Sequence, residues 1–306
     1  MSSKSNATMV SRDMQKVSSK QRIVQFIVKF FLYAFLMVMA LIVLFPFYWM
    51  LISSVKSLDE YRLSVPTLFP KHILLSNYVK AFNQASLGRL FMNTLYVGVV
   101  STLLSLVITV LSAFAFARLE FKGKNALFAA LLGTMMIPGE LFTITNYQTV
   151  NKLHNPFTGA DTWMNSFLVL IVPFLVSVFY IYLLKQNFMQ IPNELYLAAK
   201  VDGTSDIKYL WKVMIPLALP TLISITILKM MGAWNSYVWP RLVANDEKYR
   251  LITNGLRNAF TNADTGESDI PVQMAAVAIV SLPLFLVFIF LRKYIMKGVS
   301  RSGIKG

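Results

Sequence analysis

Asn193-Glu194-Leu195-Tyr196-Leu197-Ala198-Ala199-Lys200-Val201-Asp202-Gly203-Thr204 lies in a polar island, 185–212, between two long apolar runs. Leu195, Ala198 and Ala199 fall at helical spacing and predict a narrow apolar face of small residues. Asp202-Gly203 ends that helix, because Gly tolerates the left-handed backbone just past a helix terminus. Thr204 or Ser205 is then placed to cap a second helix, since a hydroxyl accepts the free amide protons of a first turn. The island closes at Ile215-Pro216. A short helix with an exposed small face suits insertion into a cleft on another protein. The plainer alternative, a loop lying on lipid, favours Trp, Phe and several Lys at these positions.

The runs on either side set the class of the whole chain. Apolar residues make up 56% of 306, and the mean hydropathy is +0.57, too high for a soluble domain of this length. Six stretches are long enough to cross a bilayer as helices, near 26–55, 91–117, 126–144, 163–184, 213–240 and 272–292. The third is the weakest, being interrupted by Pro138-Gly139 and polar from Thr143 onward. Pro46, Pro173, Pro220 and Pro283 lie inside other stretches, where neighbouring helices satisfy freed carbonyls. The short alternating strands of a membrane β-barrel are absent. The reading is an all-α polytopic membrane protein of six transmembrane helices, with a basic tail over 1–25, a helical domain over 26–292 and a C-terminal tail over 293–306.

Most of the 29 Lys and Arg fall in the segments that are cytoplasmic if the N-terminus is inside. That bias predicts both termini, and the island, on the cytoplasmic side. The segment around 56–90 works against it with Lys56, Arg62, Lys71, Lys80 and Arg89. Membrane topology and anionic headgroups account for the net charge of +15. A nucleic-acid partner needs a soluble basic face with interleaved aromatics, which the pattern lacks. With no Cys, disulfides, thiol catalysis and Cys-based zinc sites are excluded. The first apolar run is longer than a signal-peptide core and lacks a small-residue cleavage site, so it reads as a retained helix. There is no internal repeat and no second soluble domain. The segment 241–271 is the most acidic, with Asp246, Glu247, Asp264, Glu267 and Asp269.

Ala198-Ala199, three residues, Gly203, nine residues, then Val213-x-Ile215-Pro216 resembles the EAA loop of binding-protein-dependent ABC import permeases. Other stretches resemble the second permease of maltose/oligosaccharide-type importers, in the same order along 45–306. They are Pro46-Phe47-Tyr48-Trp49-Met50 with Ser54-Val55-Lys56, Ala113-Phe114-Ala115-Phe116-Ala117-Arg118, Met136-Ile137-Pro138-Gly139-Glu140, Trp234-Asn235 with Pro240, and the end Gly298 to Gly306. The resemblance implies a type I ABC importer permease fold and a carbohydrate, specifically oligosaccharide, as cargo. It also implies a homologous permease partner, two cytosolic ATPase subunits and an extracytoplasmic solute-binding protein. Glu194, Leu195, Ala198, Ala199, Asp202 and Gly203 would then form the coupling helix that docks on an ATPase. The family's Glu falls on Leu197 here, and Glu194, three residues upstream, is a candidate substitute. ATP and Mg are expected on the ATPase partners, with no cofactor on this chain.

The residues themselves agree with a transporter and not an enzyme. No phosphate-binding Gly-rich loop ending in Gly-Lys-Ser/Thr occurs. His72 and His154 have no second ligand nearby in sequence, so no metal site is expected. The inner carboxylates Glu194, Asp202 and Asp206 are not visibly paired with one another across a cleft, as a catalytic pair would be. In the second stretch Thr94, Gly98, Ser101, Ser105, Thr109 and Ser112 hold one helix face, for close helix packing or for lining a path. Lys229 lies well inside the fifth stretch, where a lipid-facing Lys costs about 2.5–3.5 kcal/mol on insertion scales. Thr226, Lys229, Ala233 and Ser236 share one face, so Lys229 either borders a path or snorkels to the interface. In the resembling family this helix contributes to the cavity near Trp234-Asn235, and a cation there suits an acidic or densely hydroxylated sugar. Glu140 is expected to accept freed amides at the break of the third stretch. Trp234, Tyr237 and Trp239 read as an aromatic belt, with sugar stacking as the alternative. Two rival classes remain: an ion-gradient-driven secondary transporter, which favours inverted repeats and broken helices, and a membrane scaffold, which has no use for a docking island.

Overall fold

The computed structural model describes residues 19–156, 159–256, 259–260 and 268–300. The first 18 residues of the basic tail, Asp264 and Glu267 of the acidic segment, and residues 301–306 of the final motif lie outside the described residues. The described residues form helices joined by irregular segments, with no β-strand longer than a single bridge among them.

Three helices are long and apolar enough to cross a membrane unbroken, and three bent pairs of helices complete the expected six. Span one is Val24–Ser54, span two Leu87–Arg118 and span six Ile270–Phe290, the last within a helix that continues to Ser300. Pro46 and Pro283 lie inside these continuous helices, as expected. The other prolines do more than bend their spans. Span three is Lys124–Thr134 with Gly139–Lys152, turned by 76°. Span four is Phe167–Phe174 with Val178–Met189, bent by 45° just after Pro173. Asp206–Leu217 meets Leu219–Asn235 at 80° around Ala218, so 213–217 belong with the island and span five begins beyond it. Pro220 accordingly opens a new helix, where its missing N–H costs nothing.

Span two is the axis of the packing, with spans four and five against it. Its small-residue stripe makes those contacts possible. Thr94, Gly98, Ser101, Ser105 and Thr109 are all buried, as close packing requires, and Ser101 also borders a cavity. A Cβ at Gly98 would lie 2.8 Å from Met230 Sδ on span five, a gap only a shifting Met can open. Gly98→Ala is therefore expected to cost under about 1 kcal/mol, and Gly98→Leu about 1–3 kcal/mol through overpacking. Thermal unfolding of the two purified variants checks this. Equal melting temperatures would show that the two helices are not in close contact.

Span one stands apart. It packs chiefly on span six, with Phe47 and Phe285 rings 5.6 Å apart, and its most apolar window is wholly exposed. Its last turn is tied to the segment that follows. Asn77 Nδ2 donates to the carbonyls of Ser54 and Lys56, at 3.0 and 2.8 Å, occupying acceptors that a helix end leaves free. Lys56 is buried, with its ammonium on the Thr67 carbonyl and 4.9 Å from the Trp49 ring. One of the cations that argued against the topology is thus committed to local packing. Glu60 closes the same segment, accepting from Thr67 Oγ1 at 2.7 Å and from the Lys71 amide at 3.0 Å.

Candidate coupling island and translocation cavity

The island is two helices locked at a right-sized turn. Asn193–Val201 ends at Asp202, and Gly203 takes φ +69°. The Gly203 amide then reaches the Lys200 carbonyl at 3.1 Å, and the Thr204 amide reaches that of Ala199 at 2.8 Å. This pair of bonds is a Schellman motif, which satisfies two carbonyls the helix end leaves free. Ser205, not Thr204, caps the next helix, accepting from the Lys208 amide at 3.4 Å.

One carboxylate joins the two helices. Asp206 Oδ1 accepts from Tyr196 Oη at 2.7 Å and from Lys200 Nζ at 2.7 Å. Asp206 finds its partners within the island, because the Gly203 turn folds it back over Tyr196 and Lys200. The Lys200 ammonium, and then the Tyr196 hydroxyl, hold the Asp206 carboxyl below its usual range. Burial and the neighbouring Asp206 push the Tyr196 hydroxyl up, while the bond to Asp206 raises Lys200. A lowered Asp contributes at neutral pH and is lost on acidification through its folded pKa. A raised Lys or Tyr loses its contribution only as pH rises through its folded pKa. The lock is therefore intact from about pH 5 to about pH 9. Asp206→Asn is expected to lower hydrogen-exchange protection of the 203–209 amides several-fold at pH 7. Unchanged protection would show that the turn alone holds the island.

The predicted docking face divides. Tyr196 and Ala199 turn inward against a buried cluster that includes Phe188, Tyr209, Leu210 and Met214. Ala199 therefore does not share an outward face with Leu195 and Ala198. At about 100° per residue, the outward side is instead Glu194, Leu197, Ala198 and Val201. Glu194 and Ala198 are exposed, Leu195 and Leu197 are 45% and 55% exposed, and Val201 is 88% exposed. The periodicity gave a face; Tyr209 and Leu210 decided which side of it turned in.

A cavity of about 400 Å³ opens among spans two, four and five. Lys229, Gly232, Ala233 and Ser236 line one wall, Ser101 and Val97 a second, and Pro173, Phe174, Ser177 and Tyr180 a third. The break after Pro173 builds the site. It frees the Phe174 carbonyl, which accepts from Lys229 Nζ. Lys229 is thus held in the cavity and does not snorkel. Trp239 completes the wall, with its indole N–H on the Val169 carbonyl at 2.8 Å. Hydroxyls, one ammonium and aromatic edges over an apolar floor form a lining suited to a polyhydroxylated ligand.

Three expected pathway residues border this cavity and two do not. Trp234 lies about 100° round the helix from Ala233. It is buried with Phe91, Ile252 and Val272. Asn235 turns away too, with Nδ2 on the Met231 carbonyl at 3.0 Å. Thr226 falls on an apolar groove with Leu95 and Met230 and bonds the Leu222 carbonyl, so it leaves the polar stripe. Trp234 and Trp239 are buried, at 8% and 7% exposure, which corrects the aromatic-belt reading for both. Glu140 is exposed and accepts no hydrogen bond among the described residues, so it does not cap the break in span three. Ser177 and Tyr180 were not singled out in the sequence; their signal was the proline just upstream.

Residues 8–301 match a family described as the binding-protein-dependent transport system inner membrane component. The chain belongs to this family. It is 30% identical to the trehalose/maltose transport system permease protein MalG of Thermococcus litoralis, over 88% of this chain and 94% of that protein. It is 28% identical to the arabinooligosaccharides transport system permease protein AraQ of Bacillus subtilis, over 89% of this chain and 94% of the relative. The fold matches a chain of a bacterial ABC transporter involved in the import of the acidic polysaccharide alginate, with a TM-score of 0.76. That match covers 91% of this chain and 99% of the other at 23% identity, and speaks for the fold alone. Membership answers the rival that the broken spans favoured, since these spans now have a family that is not an ion-gradient carrier.

Proposed function

We propose that this chain is a permease subunit of an ATP-driven importer of carbohydrates, with oligosaccharides as cargo. It forms the translocation path with a homologous permease, whose surface covers the exposed face of span one. Two cytosolic ATPase subunits bind ATP and Mg and hydrolyse the nucleotide; this chain binds no cofactor. A solute-binding protein delivers cargo from outside, and both termini lie in the cytoplasm, as the Lys and Arg bias indicates.

The observation that carries the reading is the island helix Asn193–Val201. It is pinned from behind by Tyr196, Asp206 and the Gly203 turn, and it offers Leu197, Ala198 and Val201 to another protein. Exposed apolar residues on a rigid polar island need a partner. Glu194, on the same side, supplies the carboxylate that the family places where Leu197 stands. Nucleotide states shift the path only if each binds one conformation of the assembly better than the other.

Lys229 and the surrounding hydroxyls belong to the path. An ammonium inside a span that is held by a carbonyl and not by a carboxylate keeps its full charge to be met by water or by an anionic ligand. The cargo is therefore an acidic or densely hydroxylated sugar. Reconstitution with the partner subunits in vesicles tests the whole reading. Uptake is expected to need ATP and the binding protein and to survive collapse of ion gradients. Gradient-driven uptake without ATP would overturn it.

A further inference from the structure

Span two ends in a buried cation. Arg118 is nine-tenths buried, and its Nη2 donates to the carbonyls of Phe188 and Ile191, at 2.9 and 2.5 Å. Those carbonyls close span four, and Pro192 and the coupling helix follow at once. No carboxylate pairs with Arg118 among the described residues. Its charge is balanced by carbonyls at the C-terminal end of span four, the negative end of a helix dipole. Guanidinium donors in a fixed fork hold two acceptors at once, which an ammonium on a flexible stem does less well.

The same helix reaches the other two working parts of the molecule. It runs 32 residues unbroken, about 48 Å at 1.5 Å per residue. Near its first end, Asn93 Nδ2 holds the Lys248 and Arg250 carbonyls at 2.8 and 2.9 Å, and Thr94 Oγ1 accepts from the Ile252 amide. Val97 and Ser101 then form a cavity wall. Span five meets the island across the 80° bend at Ala218, whereas Val178–Met189 of span four runs unbroken from Tyr180 on the cavity wall to the base of the island, packed along span two. A broken helix absorbs a displacement at its bend; a continuous one carries it.

We propose that Arg118 is a positioning residue that ties the base of the coupling helix to span two, so that movement of the island is delivered to the span-two wall of the cavity together with the end of span four. The inference rests on the importer reading above. It assigns Arg118 no contact with cargo or nucleotide.

The test uses the assembled transporter and exploits the absence of Cys in the chain. Val176→Cys, on the cavity wall, is labelled with a water-soluble maleimide with and without ATP. With Arg118 intact, the labelling rate responds to ATP. Arg118→Gln is expected to assemble and to keep basal ATP hydrolysis within about twofold. Its uptake should fall at least about tenfold, the scale of losing one charge-assisted hydrogen bond in an equilibrium, and its labelling should no longer respond to ATP. Normal uptake and a normal ATP response in Arg118→Gln would overturn the proposal. Should that variant fail to assemble, Arg118→Lys decides. Intermediate uptake with more ATP hydrolysed per sugar supports the tie, and wild-type coupling overturns it. If the parent complex shows no ATP-driven uptake, the importer reading fails instead.

Discussion

Gly203→Val is expected to abolish uptake while the protein still inserts in the membrane. The reason is conformational and not steric crowding, for a Cβ at Gly203 meets nothing within 4 Å. Its φ of +69° costs an ordinary L-residue about 1–2 kcal/mol, and a β-branched one more. Relief comes by unwinding the turn, which breaks the Gly203 and Thr204 amide bonds and separates Asp206 from Tyr196 and Lys200. The docking helix then loses its fixed angle to the rest of the subunit. Co-purified ATPase should drop with uptake, while Gly203→Asn, which tolerates this backbone, should retain most of both. Normal uptake in Gly203→Val would show that the island does not need a fixed turn. Ala198→Trp gives the complementary result, because it alters the outward face and leaves the turn intact. Its uptake should fall without any change in the island's own exchange protection.

Lys229→Met is expected to leave assembly and basal ATP hydrolysis intact and to reduce uptake of an acidic oligosaccharide by roughly ten- to a hundredfold, the loss of one charge-assisted hydrogen bond. Neutral sugar should be affected less. Its fall reflects only the lost tie from Lys229 Nζ to the Phe174 carbonyl at the break of span four. Lys229→Arg keeps the charge and separates the two contributions: it should preserve the preference for the acidic sugar even if both rates fall. Uptake of the two sugars, measured side by side in the three proteins, is the check. Equal rates to wild type for Lys229→Met would remove the ammonium from the path.

Much of this architecture was legible because it depends on local chemistry. Asp202-Gly203 marks a helix stop wherever it sits, and the turn formed there. A Lys inside an apolar run needs a polar neighbour, and Lys229 has one. What escaped the sequence was decided by contacts between distant elements. Periodicity places Leu195, Ala198 and Ala199 near one another but is silent on which side turns inward; Tyr209 and Leu210, a turn later, drew Ala199 in. Trp234 follows Ala233 directly, yet one residue of helix carries it from the cavity wall to the cluster around Phe91. Prolines announce trouble in a span without giving its size. Pro46 and Pro283 pass through continuous helices, while the chain breaks by 45° after Pro173 and by 80° beside Pro220. Arg118 looked like a topology marker, because its partners are backbone carbonyls about 70 residues further on.

Span one packs chiefly on span six, and that pairing bears on how the chain is made. The ribosome completes Ser54 roughly 200 residues before Ile270, a delay of about ten to forty seconds at 5–20 residues per second. Throughout that interval the side of the first helix that span six will cover lies open to lipid, its backbone bonds closed on themselves and its side chains at no disadvantage among acyl tails. Its last turn finds Asn77 and Tyr78 early, while the Phe47 side waits for span six. That face of the first helix is therefore open to any neighbouring helix in the bilayer before the chain's own last helix arrives.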